Sequence, residues 1–210
     1  VVITSVSGDT NAIGYISLGS LSDSVKALKV DGVDATSENV KNGSYKVSRP
    51  FNIATKKDVS DAAKDFISFI LSSDGQKIVS KDYIAAYDDA KPYTKSGAKG
   101  KVVVAGSSSV TPVMEKLSEA YKNVNSDVEI EIQMSDSTTG MKNAIGGICD
   151  IGMASRELKD DELKELTPTV IALDGIAVVV NNENPLENIS SDDVKAVFTG
   201  EKTTWSEING

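Results

Sequence analysis

Between Lys101 and Ala154 the hydrophobic period changes four times, and that alternation limits the fold more than any other feature of the chain. Lys101 to Ala105 (KVVVA) is a continuous apolar run, the pattern of a strand covered on both faces in a parallel sheet. Val113, Leu117, Ala120 and Tyr121 then fall on one helical face, and Val128, Ile130, Ile132 and Met134 alternate as in a strand with one polar face. Met141 to Ile145 predicts a short helix, and Asp150 to Ala154 (DIGMA) a further strand. Strands and helices in such succession imply an α/β fold.

The flanking sequence fits the same class. Ile13 to Leu18 predicts a short strand after the turn residues Gly8-Asp9-Thr10-Asn11, and residues 45–55 an extended run in which Pro50 marks an edge or a crossover. From Asp58 the period becomes helical through Val59, Ala62, Ala63, Phe66, Ile67 and Ile70, with Asp58 or Ser60 as cap and Gly75 near the end. Residues 90–100 (AKPYTKSGAKG) read as a surface linker, and residues 169–180 are long enough to cross between two lobes. A last helix, Asp192 to Phe198, is expected to be capped by Ser191 and stopped by Gly200.

Composition excludes much chemistry. The 210 residues include no histidine, which removes imidazole bases, Ser-His and Cys-His pairs and His-ligated zinc. One cysteine, Cys149, provides neither an internal disulfide nor a redox or zinc pair, and reads as a small buried hydrophobe. A net charge of -9 disfavours nucleic acid and anionic membrane surfaces as partners. No apolar stretch reaches the roughly 18–20 residues of a membrane span. The chain opens inside an apolar run, Val1-Val2-Ile3, as a mature or trimmed chain would.

Three junctions share one design: apolar strand, small hydroxyl-rich loop, helix. They are Gly106-Ser107-Ser108-Ser109-Val110-Thr111-Pro112, with Thr111 expected as N-cap and Pro112 in the first helical position, Ser135-Asp136-Ser137-Thr138-Thr139-Gly140, and Ser155-Arg156-Glu157-Leu158. A helix N-terminus offers unpaired N–H groups and about half a positive charge, hydroxyls add donors, and ligands of open α/β sheets sit beyond the carboxyl ends of strands. One hydroxyl before a helix is ordinarily only a cap contributing about 1 kcal/mol; three such loops together suggest an oxyanion site. Ser96 and Lys99 match S-x-x-K only by spacing. Asp160-Asp161 with Glu162, and Asp192-Asp193, read as solvated helix starts, and Trp205 as packing.

The motifs GSSSVTPVMEKLSEAYKN, SDSTTGMKNAIGG, CDIGMASREL, TPTVIALDGIAVVVNNENP and VFTGEKTTWSEING resemble the amino-terminal half of phosphate-binding proteins of the PstS type, the substrate-capture subunits of bacterial phosphate ABC importers. NAIGYISLGSL, YKVSRPFNIAT and DFISFILSSDGQKIV resemble the carboxyl-terminal half, so the order is that of circularly permuted members. The resemblance implies a two-lobed α/β periplasmic-binding-protein-like fold of type II, with lobe one at residues 51–175, including the linker at 90–100, and lobe two at 1–50 and 176–210. That second lobe is expected to be incomplete, because the family's Arg-Glu-x-Gly-Ser-Gly-Thr-Arg-like segment is absent. It would precede Val1 in a parent longer by about 50 residues.

By resemblance, Ser109, Val110 and Thr111 match the first phosphate loop, Ser137 the hydroxyl donor of the second, and Ser155 a position where some members have an aspartate that accepts the proton of hydrogen phosphate. Asp174 is the candidate replacement acceptor. The implied role is capture of inorganic phosphate by lobes that hinge shut, with no catalytic residue, cofactor or metal. The expected partners are membrane permease subunits and not nucleic acid. The protein is expected to be a monomer, extracytoplasmic and lipid-anchored through an upstream segment. Rival readings are the same fold holding another oxyanion or a phosphorylated metabolite, a serine-dependent phosphatase or transferase, and a non-binding scaffold.

Overall fold

The computed structural model describes residues 1–208. Its chain divides into two units, one of Val1–Ser48 with the chain from Asp174 onward, the other of Arg49–Leu173. In chain order the first unit begins with α1 (Val2–Ser7), β1 (Ile13–Ser17), β2 (Lys26–Ala27), β3 (Lys29–Val30) and α2 (Ser37–Lys41). β4 (Ser48–Thr55) leads into the second unit, which holds α3 (Asp61–Leu71), α4 (Ser73–Val79), β5 (Ile84–Ala85), β6 (Gly100–Ser107) and α5 (Thr111–Val124). There follow β7 (Val128–Ser135), α6 (Ser137–Gly146), β8 (Ile151–Ala154) and α7 (Asp160–Glu165). β9 (Thr167–Val180) returns the chain to the first unit, which ends with β10 (Asn188–Ile189) and α8 (Ser191–Thr199).

In the first unit β1 pairs antiparallel with β9, Ile13 opposite Val180 and Ser17 opposite Ile176, while β10 pairs parallel with β3. Val6, Val25, Ala177 and Val179 form a small core there. Asn181 donates its amide to the carbonyls of Val6 and Ser7, closing the C-terminal end of α1.

The second unit orders its strands β9–β4–β8–β6–β7, with β5 on β9. β6, β7 and β8 are parallel, as the continuous apolar run of β6 requires, and their registers align their carboxyl ends. Ser107 lies opposite Ser135 and Gly106 opposite Met153. β4 joins antiparallel, Asn52 opposite Ala154; Pro50 precedes these paired residues, so its missing N–H leaves this ladder intact. The core is filled by Phe51, Phe66, Met114, Leu117, Tyr121, Ile151 and Met153, all fully buried. Cys149 is buried, and burial pushes its thiol up to about 11.

Four boundaries differ from the sequence expectation. The helix after Asp58 is two helices: Ser72 caps α4 by accepting from the Gly75 amide, so Gly75 opens a helix rather than ending one. A Cβ on Gly75 would stand 2.3 Å from the Phe69 carbonyl oxygen, and that close approach is why glycine occupies the bend. α8 is capped by Ser190, not Ser191, and ends at Gly200 in the left-handed conformation. Thr111 is the first residue of α5 rather than its cap; Val110 holds the cap position without a side-chain bond. Ser155 does not border a helix either, because α7 begins only at Asp160.

The linker at 90–100 has no regular structure before β6, yet it is fastened to the core. Buried Asp65 accepts from the hydroxyls of Tyr93 and Tyr121, both at 2.6 Å, from Asn125 Nδ2 at 3.0 Å and from the Ser96 amide at 3.2 Å.

Candidate functional site

The aligned ends of β6, β7 and β8 bring the three hydroxyl-rich loops of the second unit into direct contact. The Ser108 amide donates to the Ser135 carbonyl at 2.9 Å, joining the first loop to the second. The Ser155 amide donates to Ser137 Oγ at 3.1 Å, joining the third to the second. Buried Ser107 donates its hydroxyl to Ser155 Oγ at 3.0 Å, joining the first to the third. α6 reaches this junction because glycines let it approach β6: a Cβ on Gly140 would lie 2.6 Å from the Gly106 Cα.

Within the first loop the amides of Ser109 and Val110 turn inward, to Ser107 Oγ at 3.2 Å and the Ser107 carbonyl at 3.0 Å. The Thr111 hydroxyl donates to the same carbonyl at 3.1 Å, so it fastens the loop instead of capping the helix. Helix geometry leaves the amides of Thr111 and Val113, in the first turn of α5, without an intrahelical acceptor.

The second loop departs from the simple picture of a free helix N-terminus. Asp136 is the N-cap of α6, its Oδ1 accepting from the amides of Thr138 and Thr139 at 2.8 and 3.0 Å, and its Oδ2 from the Thr139 hydroxyl at 2.6 Å. These bonds, the Thr139 hydroxyl first, hold the exposed carboxyl below its ordinary range. The ionised side chain thus takes two of the amides that the sequence argument offered to an anion.

In the third loop Arg156 forms a fork with Glu162. Nη1 donates to Glu162 Oε2 at 2.8 Å and to the Glu157 carbonyl at 2.9 Å; Nη2 donates to Glu162 Oε1 at 2.8 Å and to Thr138 Oγ1 at 3.3 Å. Arg156 holds the Glu162 carboxyl below its ordinary range, and Glu162 raises the guanidinium further. Glu162 is buried, which corrects its reading as part of a solvated helix start. Asn52 on β4 supports the same loop, donating to the Arg156 carbonyl at 3.0 Å.

Among the expected site residues, Ser109, Val110, Thr111, Ser137 and Ser155 therefore meet in one cluster of the second unit. Asp174 belongs to the first unit, where it is buried and accepts a hydrogen bond from the Ser17 hydroxyl. Ser107, Thr138, Asp136 and Arg156 do not stand out in the sequence as functional residues. All four lie within the three loops, but only their hydrogen-bond directions distinguish them.

Those directions decide the chemistry. Ser137 Oγ accepts from an amide, Ser155 Oγ from a hydroxyl and Thr138 Oγ1 from a guanidinium. Among the described residues no acceptor takes a hydrogen bond from any of the three hydroxyls, so each keeps its proton to donate. No group of three or more His, Cys, Asp or Glu side chains among the described residues forms a metal cage.

Comparison with known proteins identifies the family of the chain that carries this cluster. A model described as a PBP superfamily domain matches residues 91–210. The chain is 56% identical to the phosphate-binding protein PstS 2 of Streptococcus agalactiae, over 100% of this chain and 72% of that protein. It belongs to the family of PstS-type phosphate-binding proteins. PstS 2 of Streptococcus pneumoniae is 48% identical over 99% of this chain and 72% of its own length. The crystal structure of a phosphate-binding protein of a phosphate ABC transporter from that organism superimposes with a TM-score of 0.92 at 48% identity, covering 99% of this chain and 81% of the other. The expected α/β periplasmic-binding-protein-like fold is thus the fold of this PstS-family member. No helix among its described residues is long and apolar enough to cross a membrane.

Proposed function

We propose that this PstS-family chain captures inorganic phosphate outside the cytoplasm and delivers it, as a monomer, to the membrane permease of an ABC importer. The observation that supports it most is the pair of hydroxyls at Ser137 and Ser155, whose oxygens each accept from a protein donor and whose protons are left for a ligand. A hydroxyl in that state recognises acceptors, and an oxyanion offers nothing else on its deprotonated oxygens. Ser109 and the first-turn amide of Thr111 complete the donor set in this reading. Lipid anchoring by a segment upstream of Val1, and a circularly permuted motif order, belong to the same proposal.

Capture rather than catalysis fits the same geometry. A serine nucleophile needs a base to take its proton. The chain has no histidine, and the bonds to Ser137 and Ser155 come from donors. Calorimetric titration of the chain with phosphate, with sulfate as control, tests the proposal. Phosphate-selective binding is expected; no binding, binding of sulfate as tight as that of phosphate, or turnover of p-nitrophenyl phosphate overturns it.

A further inference from the structure

The first unit holds a cavity that the hydroxyl cluster of the second unit does not touch. Its volume is about 530 Å³, inside the range of roughly 300–1,000 Å³ of small-molecule sites. It lies where the loop after β9 meets the turn before β1, and all its lining residues belong to the first unit. Buried Asn184 ties these two walls together, donating its side-chain amide to the Thr10 carbonyl at 3.4 Å and accepting from the Leu186 amide at 3.0 Å. Trp205, the one tryptophan of the chain, forms a third wall. Its turn is fixed by Glu207, which accepts from the Thr203 and Thr204 amides and from the Thr204 hydroxyl. The indole N–H donates to the Asn11 carbonyl at 3.1 Å. With that donor spent, the ring offers the cavity an apolar surface, joined by Pro185 and Leu186. Three polar side chains stand against this surface. Among the described residues no hydrogen bond or ion pair engages the Thr10 hydroxyl, the Asn11 side-chain amide or the Glu183 carboxylate, all of which line the cavity. Glu187 nearby differs, because its carboxylate is occupied by Lys26 at 2.6 Å.

We propose that this cavity is a second ligand site, separate from phosphate capture, and that its ligand is a neutral pyranose saccharide. A pyranose has an apolar C–H face, which suits the Trp205 ring, and a rim of hydroxyls that both donate and accept. The polar side chains match that rim: the Glu183 carboxylate takes hydroxyl protons, the Asn11 amide donates and accepts, and the Thr10 hydroxyl does either. An anionic ligand is excluded by the Glu183 carboxylate, which repels it and can only accept, and by the net charge of -9. A small cation would use Trp205 and Glu183 but leave the Asn11 amide N–H groups with nothing to bind. The mixture of one aromatic surface, one acceptor and two groups able to donate fits a ligand that is uncharged and covered with hydroxyls.

The test is titration of the wild-type chain with maltotriose and with triacetylchitotriose, read by the emission of Trp205, which no other tryptophan masks. Calorimetry then gives the affinity of each variant for the saccharide that binds, and thermal melting its stability. At least one saccharide is expected to shift the emission, with a Kd in the millimolar range or tighter. Glu183→Ala and Asn11→Ala should each weaken that binding by about tenfold, the loss of one hydrogen bond. Neither should lower Tm, since neither side chain has a protein partner to lose. Glu187→Ala, a carboxylate already paired with Lys26, should bind near wild type. No response to either saccharide at about 10 mM, well above a millimolar Kd, overturns the proposal. So does unchanged affinity in both Glu183→Ala and Asn11→Ala, or a loss in Glu187→Ala equal to theirs. Tetramethylammonium chloride is titrated in parallel, and tighter binding of that cation than of either saccharide overturns the assignment of a neutral ligand.

Discussion

The Ser107 hydroxyl accepts from the Ser109 amide and donates to Ser155, so its removal breaks two bonds in a buried place. Ser107→Ala should leave Ser155 free to turn its proton elsewhere and weaken phosphate binding by about tenfold, the loss of one organising hydrogen bond; calorimetry alongside the wild type reads it. Asp65 poses a different problem, since a buried carboxylate is unfavourable unless its oxygens are filled. Desolvation pushes its pKa upward, but the bonds from Tyr121, Tyr93, Ser96 and Asn125 win and lower it to about 2. A folded value below the unfolded one, about 3.9, means that this stabilisation is complete above the unfolded value. It disappears as pH falls toward 2. Asp65→Asn should cost about 2 kcal/mol at neutral pH and flatten the stability curve between about pH 4 and 2. Urea midpoints measured across that range check both.

α6 is an element whose position depends on what it lacks. With Gly140 against Gly106, its first turn stands close enough for Ser137 to accept from the Ser155 amide. Gly140→Ala should push the helix off β6, lowering stability by about 1–3 kcal/mol as overpacking does and weakening phosphate binding with it; melting and titration of one sample measure both. The elements themselves were largely legible. The apolar run of β6, the strict alternation of β7 and the periodic face of α5 each report local burial, which periodicity encodes directly. The division between α3 and α4 was not, because Ser72 and Gly75 announce a bend only once the Phe69 carbonyl is seen facing that glycine. Likewise Asp65 looks like an intrusion on an apolar helix face, since its partners come from positions 93, 96, 121 and 125. At the site, Ser137 and Ser155 stood out as hydroxyls after strands. Thr138 and Ser107 did not, because what sets them apart is which partner donates, and that depends on the register between β6, β7 and β8.

At the scale of the whole molecule, a net charge of -9 opposes the approach of any anion, whereas in the proposed capture the contact dipoles at the loops hold it once it arrives. Salt should therefore act on arrival more than on residence. Raising ionic strength from about 0.01 to 0.15 M shortens the screening length from about 30 to 8 Å. It should speed phosphate association while leaving the dissociation rate nearly constant, which stopped-flow mixing resolves. The same acidic surface bears on a feature of the second unit. β7 closes one end of its sheet order, and Glu129 and Glu131 on that strand share Lys101 of β6. An end strand with open backbone groups is a template for a neighbour's strand, and repeated carboxylates along it make two such edges repel. Glu129 and Glu131, toward the amino end of β7 and away from the loops at its carboxyl end, would thus disfavour edge-to-edge pairing between copies of the protein.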